Sequence, residues 1–186
     1  MSNCLISFGA NISGPFGSPA ETLNHALEEF QFENLLIRKK SKIYSSLAFP
    51  DPKKPRYLNG CLQISVNCGA NDVLERLKRI EKKMGRQKKN CRWDSRICDL
   101  DLLSFDNKVA PSPEVFNYWY KMPLRNQILE KPDELLLPHP RIQDRAFVLK
   151  PLLEFAADWR HPVLNLTVKE MFDFLPKHER ASVTQI

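Results

Sequence analysis

Two kinds of hydrophobic rhythm run through the first hundred residues of this chain. Apolar Leu5, Ile6 and Phe8 lead into Gly9-Ala10-Asn11, the pattern of a strand that ends in a turn. After a loop rich in Pro, Gly and Ser, the run Ser18-Pro19-Ala20-Glu21 reads as a capping box with proline at the first helical position. Leu23, Ala26, Leu27 and Phe30 then give that helix one apolar face. The stretch Leu35–Ser45, with Leu36, Ile37, Ile43 and Tyr44 around a basic cluster, predicts a strand. Tyr57–Asn67 alternates: Leu58, Leu62, Ile64 and Val66 point one way, and Asn59, Cys61, Gln63 and Ser65 the other, as in a half-buried strand. From Asn71 the spacing returns to that of a helix through Val73, Leu74, Leu77 and Ile80, until Gly85 stops it. Ile97–Phe105 predicts another strand. Helices are expected near Asp144–Ala157, where Pro151 should limit or kink the helix, and near Thr167–Leu175.

The order strand–helix–strand–strand–helix–strand is the split βαβ pattern of a ferredoxin-like α+β fold with mainly antiparallel pairing. A chain of 186 residues suits one domain spanning 1–186. Residues 106–138 carry few regular signals and the aromatics Phe116, Tyr118, Trp119 and Tyr120, and read as an extended loop insertion. Residues 177–186 are polar and read as a flexible tail.

Composition narrows the partners. The 28 basic against 22 acidic residues leave a formal charge of +6, which suits an anionic ligand without choosing among nucleotide, nucleic acid and membrane surface. The five cysteines, Cys4, Cys61, Cys68, Cys91 and Cys98, form no CxxC pair and predict reduced, packed side chains rather than disulfides or zinc. No signal peptide or membrane-spanning run is visible, so a cytoplasmic protein without membrane contact is expected.

The chemistry concentrates between Arg86 and Asp101. In Asp99-Leu100-Asp101 the side chains at i and i+2 share one face of a strand, their Cα atoms roughly 6–7 Å apart, while Cys98, Leu100 and Leu102 face the opposite way into a core. Two carboxylates so placed repel unless a cation lies between them, and hard oxygen donors suit Mg²⁺ bound together with substrate phosphates. A bare DxD is weak, since solvated aspartates at a strand edge are common. The neighbours change its weight: Arg86, Lys88, Lys89, Arg92 and Arg96 stand immediately upstream. A metal-chelated polyphosphate needs both signs, carboxylates for the metal and guanidiniums for the remaining oxygens. Trp93 either anchors its loop or offers a stacking platform, with Phe147 as an opposite wall. Asn59 either reads a heterocycle's polar edge or caps a turn. His139, held between Pro138 and Pro140, is a phosphate-contact candidate together with Arg145.

Arg92-Trp93-Asp94-Ser95-Arg96-Ile97-Cys98-Asp99-Leu100-Asp101-Leu102-Leu103 resembles the signature of the 6-hydroxymethyl-7,8-dihydropterin pyrophosphokinases of folate biosynthesis. Phe8-Gly9-Ala10-Asn11, Tyr57-Leu58-Asn59, Ile80-Glu81 with Gly85-Arg86, and Leu137-Pro138-His139-Pro140 through Leu149 extend the likeness in the expected order over roughly residues 4–160. The resemblance implies an αβα sandwich, two Mg²⁺ ions, and transfer of pyrophosphate from ATP to the pterin hydroxymethyl group with release of AMP. It implies that Asp99 and Asp101 bind both metals and, with Arg86 and Arg96, form the catalytic set. Leu74, Lys78, Lys88, Arg92, Leu102, His139 and Arg145 would hold the nucleotide; Ser46, Leu47, Tyr57, Asn59, Trp93 and Phe147 would hold the pterin. The partners expected are these two small molecules, with no nucleic acid, and a monomer. The sequence departs from the family pattern at Lys88, where arginine is frequent, at Pro140, where some members carry tyrosine, and in 106–138, about twenty residues longer than in compact relatives. That insertion is read equally as a lid over the nucleotide or as a protein contact. A DxD nucleotide-sugar transferase and a basic RNA-binding module of ferredoxin-like fold are the competing readings; AMP as product separates the first, and RNA binding without ATP turnover the second.

Overall fold

The computed structural model describes residues 1–186 apart from 50, 87–93, 124, 125, 127, 128 and 131. Six strands and six helices are assigned among the described residues: β1 Ser2–Ala10, α1 Pro19–Phe32, β2 Leu36–Lys40, β3 Tyr44–Ser46, β4 Tyr57–Val66, α2 Ala70–Lys83, β5 Asp99–Phe105, α3 Pro113–Lys121, α4 Ala146–Ala156, α5 Val168–Phe174, α6 Lys177–Ser182 and β6 Thr184–Gln185. The strands form one sheet in the order β5-β1-β4-β3-β6, with β2 beside β3 along the same edge of β4 and every pairing antiparallel. The ferredoxin-like expectation holds.

The helices begin and end for local reasons. Ser18 N and Oγ donate to the Glu21 carboxylate at 2.8 and 2.6 Å, closing the capping box that starts α1. Gly69 N donates to Asp72 at 2.9 Å to start α2, and Gly85, at φ +94°, takes the left-handed turn that ends it. Thr167 and Glu170 repeat the capping box for α5. Helix α4 runs through Pro151: its buried Val148, Leu149 and Leu152 outweigh the lost backbone hydrogen bond.

Each face of the sheet is covered. Cys4, Ile6, Phe8, Leu62, Ile64, Leu100 and Leu102 pack under α1 and α2. Leu5, Tyr44, Cys61 and Leu103 pack under α4 and α5. β4 is therefore buried on both sides over most of its length rather than on one, because α4 lies on the face that carries Asn59 and Cys61.

Three segments depart from the sequence expectation. The single strand read over Leu35–Ser45 is two, β2 and β3, with a break at 41–43. The pairing to β4 shifts between Ile37 and Lys39, and Ser41 Oγ accepts the Cys61 N–H at 2.9 Å in place of a strand carbonyl. The segment 106–138, read as a loop, contains α3; Ser112 caps it, Pro113 opens it and Phe116 is fully buried. Its ends are joined by Ala110 and Leu137, which exchange backbone hydrogen bonds at 2.9 and 3.0 Å. Residues 177–186, read as a flexible tail, form α6 and β6, and β6 adds an edge strand to β3.

Of the cysteines, Cys4, Cys61 and Cys98 are buried and Cys68 partly so, all free; Cys91 lies outside the described residues. Burial raises the Cys4 thiol to about 12 and moves Cys61 and Cys98 upward too, so these are inert packing groups.

Candidate active site

Sheet register assembles the site. Gly9 of β1 is paired with Asp99 on one side and Asn59 on the other, and Ser7 with Asp101 and Cys61 in the same way. On one face, therefore, Asp99, Gly9 and Asn59 lie in a row, with Asp101 one step along β5. Gly9 leaves open the space between an acid and an amide: a Cβ there would sit 3.0 Å from Asn59 Oδ1 and 3.2 Å from the Leu58 carbonyl. The alternation in β5 puts Cys98, Leu100 and Leu102 into the core below.

A cavity of about 1360 Å³ opens over this row. It exceeds the roughly 300–1,000 Å³ of an ordinary small-molecule pocket, which leaves room for two ligands side by side. Ser46, Leu47, Tyr57, Asn59 and Phe147 line it together with Asp99, Asp101 and Arg96; so do Leu74 and Lys78 of α2, Leu102, His139 and Arg145. Every described residue of the sequence-derived set lines this cavity except Arg86, which reaches Asp99 from beside it. Lys88, Arg92 and Trp93 lie outside the described residues.

Three guanidiniums meet the acids. Arg96 Nη1 donates to Asp99 Oδ1 at 2.7 Å, Arg86 Nη1 lies 3.0 Å from the same oxygen, and Arg145 Nη1 approaches Asp101 Oδ2 at 3.5 Å. Asp99 is 28% exposed and Asp101 37%, so both open to the cavity. Burial followed by the charge of Asp101 raises the Asp99 pKa, while Arg96 acts to lower it. Adjacent hard oxygen donors whose charges repel, with cations on their flanks, fit a divalent ion carrying phosphates.

His139 donates its backbone N–H to the Leu103 carbonyl at 2.8 Å, and its Nδ1 accepts from Arg141 N at 3.1 Å. Burial, then Arg145 and Arg141, hold its pKa well below the ordinary value. The ring is neutral at physiological pH with its proton on Nε2, a donor rather than a base. The Arg145 guanidinium lies 5.7 Å from the Phe147 ring centre, so one residue spans the acid and the aromatic wall. Asn59 Nδ2 donates to Ser46 Oγ at 2.9 Å, both residues being buried. Burial and then Asp99 raise the Tyr57 phenol to about 12, and its hydroxyl donates to the Asp94 carbonyl at 3.4 Å.

Sequence reasoning missed how two residues support the site. In the sequence Glu81 stands out only within the likeness to a family. It is 6% exposed at the end of α2, accepts the Leu100 N–H at 2.8 Å and touches Arg86, thereby tying β5 to the arginine. Burial, with Asp99 and Asp101, raises its pKa to about 9. A carboxylate four residues after Leu77, in register with the apolar stripe of α2, was the available signal. Asn11 joins three loops: its Nδ2 donates to the Pro55 carbonyl at 3.0 Å and to Ser95 Oγ at 3.2 Å, and its Oδ1 accepts from Arg96 N at 2.7 Å. Its partners lie 44 to 85 residues away, which no local pattern reports. The insertion contributes as well: Trp119 of α3 and residues 132–136 line the cavity.

Among the described residues no helix is long and apolar enough to cross a membrane. The family model for 7,8-dihydro-6-hydroxymethylpterin-pyrophosphokinase matches residues 5–157. The chain is 30% identical over 163 residues to the 2-amino-4-hydroxy-6-hydroxymethyldihydropteridine pyrophosphokinase of Synechocystis sp., covering 87% of this chain and 72% of that protein. It is 27% identical to the Haemophilus influenzae protein of the same name, covering 93% and 95%. It is also 27% identical to the folic acid synthesis protein fol1 of Pneumocystis carinii, covering 94% of this chain but only 20% of that longer protein. A Plasmodium falciparum HPPK-DHPS crystal structure shares the fold, with TM-score 0.67 at 12% identity over 100% of this chain and 46% of that one.

Proposed function

This chain belongs to the 7,8-dihydro-6-hydroxymethylpterin-pyrophosphokinase family, whose reaction moves pyrophosphate from ATP to the hydroxymethyl group of 6-hydroxymethyl-7,8-dihydropterin in folate synthesis, and we propose how its own residues divide that work. The observation that carries the proposal is the row Asp99–Gly9–Asn59, which sets an acidic pair beside a buried amide in one cavity large enough for both substrates.

In this reading Asp99 and Asp101 hold two Mg²⁺ ions. Held there, such ions would neutralise triphosphate charge and would lower the pKa of the attacking hydroxyl. Arg86, Arg96 and Arg145, ion-paired with the acids at 2.7 to 3.5 Å, exchange part of those contacts for phosphate oxygens when ATP binds. Neutral His139 donates from Nε2 to the nucleotide's phosphates, and Leu74, Lys78 and Leu102 surround its adenosine. Asn59 and Ser46 read the polar edge of the pterin, Leu47 and Tyr57 line its pocket, and Phe147 packs on its ring. Trp93 supplies the opposite wall and Arg92 contacts phosphate, assignments that rest on the sequence signature alone; Lys88, which stands where the family often has arginine, is given to phosphate by position in the sequence alone. Trp119 and residues 132–136 act as a cover over the nucleotide. Positioning and electrostatics then do most of the catalysis, since charge develops on the transferred group and the departing AMP where the arginines lie.

The test is incubation with ATP, the pterin and Mg²⁺, followed by chromatography. AMP and the diphosphorylated pterin are expected in equal amounts, with product lost on adding a chelator. ADP with a monophosphorylated pterin would overturn the reaction; unchanged turnover in chelator would overturn the metal assignment.

A further inference from the structure

The segment 182–186 lies outside the matched region 5–157, yet it reaches the wall of the cavity that holds Ser46 and Asn59. β3 is only three residues long and is paired to β4 along one edge. Its other edge is paired to β6, with Ser45 opposite Thr184 and Tyr44 opposite Gln185. Ile186 N donates to the Ile43 carbonyl at 3.1 Å, so the alternation of antiparallel bonds makes Ser45 and Thr184 a hydrogen-bonded pair. Arg56, at the entry to β4, links the two sides: its Nε donates to Ser45 Oγ at 2.8 Å and its Nη2 to the Ser182 carbonyl at 3.2 Å. Lys150 of α4 donates to the Val183 carbonyl at 2.5 Å, and Val183 is buried in the core beneath α4 and α5. Ser182 and Val183 line the cavity, and Phe147 lies in the first turn of the helix that carries Lys150.

We infer that Arg56, Lys150 and residues 182–186 form a clasp that fixes β3, so that Ser46 and Leu47 are held for recognition of the pterin's polar edge. The inference rests on the proposed assignment of Ser46, Leu47 and Asn59 to the pterin. A three-residue strand bonded on one edge alone frays readily. The second ladder and the Arg56 bridge remove that freedom before the ligand arrives, so the ordering cost is not taken from binding. None of these bonds is made by a residue of α2, β5 or 132–139, the segments on which most of the nucleotide side of the cavity is built. The clasp therefore acts on one substrate and not the other.

The test uses Arg56→Ala, Arg56→Lys and Thr184→Pro, the last removing the N–H that faces Ser45. For Arg56→Ala and Thr184→Pro the KM for the pterin should rise about five- to tenfold, as expected for losing one or two hydrogen bonds that pre-order a site. The KM for ATP should stay within twofold and the melting temperature within about 2 °C, so that the effect is read on one substrate rather than on the whole fold. Arg56→Lys, able to keep one of the two bonds, should restore part of the pterin KM. Equal rises in both KM values, or an unchanged pterin KM in both variants, would overturn the clasp. A wild-type enzyme that forms AMP but shows no effect of Ser46→Ala or Asn59→Ala on pterin KM would instead remove the pterin assignment on which it rests.

Discussion

Replacing Asp99 with asparagine separates the catalytic from the structural content of the acidic pair. Asp99 receives Arg96 at 2.7 Å and Arg86 at 3.0 Å on one oxygen, and it repels Asp101 two residues along the strand. With Cα atoms roughly 6–7 Å apart on one face, two unit charges cost about 2.5 kcal/mol at an effective dielectric constant of 20. The arginine contacts return a sum of similar size, reduced because Asp99 is 28% exposed and its partners 29% and 30%. An asparagine keeps one oxygen for Arg96 and removes the repulsion. Stability should therefore change by less than about 1 kcal/mol, a shift in melting temperature of roughly 2–4 °C at most. Activity should behave otherwise. A neutral amide is a poor ligand for Mg²⁺, and loss of this electrostatic anchor should lower kcat by about three orders of magnitude. The assay is AMP release at saturating ATP and pterin, with thermal unfolding measured on the same preparation. Activity within tenfold of wild type would refute the metal assignment. Loss of activity together with a collapse in melting temperature would show that the acids serve the fold.

Gly9→Ala places a methyl group 3.0 Å from Asn59 Oδ1, and the overpacking should cost about 1–3 kcal/mol, read mainly as a higher KM for the pterin with ATP binding kept. Glu81 has its pKa raised from 4.5 to about 9, so the folded protein holds this proton more tightly than the unfolded chain and stability falls as pH rises from about 4.5 towards 9. Glu81→Gln should flatten that part of the curve of melting temperature against pH; an unchanged slope would contradict it. Trp119→Ala should raise the KM for ATP by about three- to tenfold if α3 covers the nucleotide, and leave it unchanged if the insertion serves another contact. Thr167→Ala removes the cap of α5 and should destabilise the protein by about 1 kcal/mol without altering either KM.

Much of this molecule was legible residue by residue. The capping box at Ser18 and Glu21, the stop at Gly85 and the helix near Thr167 follow from hydrogen-bonding groups three residues apart, and they form wherever the chain is free to turn. The facing of Asp99 and Asp101 follows from the period of a strand alone, and so does the burial of Leu100 and Leu102 on its far side. The family signature in 92–103 then named the chemistry those acids support.

What the chain could not state locally was who would be whose neighbour. Gly9 lies between Asp99 and Asn59 because β1 pairs with strands whose partner residues are 50 and 90 positions away, a register settled only when both cores close. Glu81 is tolerated in an apolar stripe because Leu100 and Arg86 arrive beside it. Residues 177–186 look like a polar tail until β3 offers a free edge, and α3 was obscured among prolines until Phe116 found a buried place. Local propensity determined which elements form; the site itself was decided by contacts whose energy exists only once distant segments have been brought together.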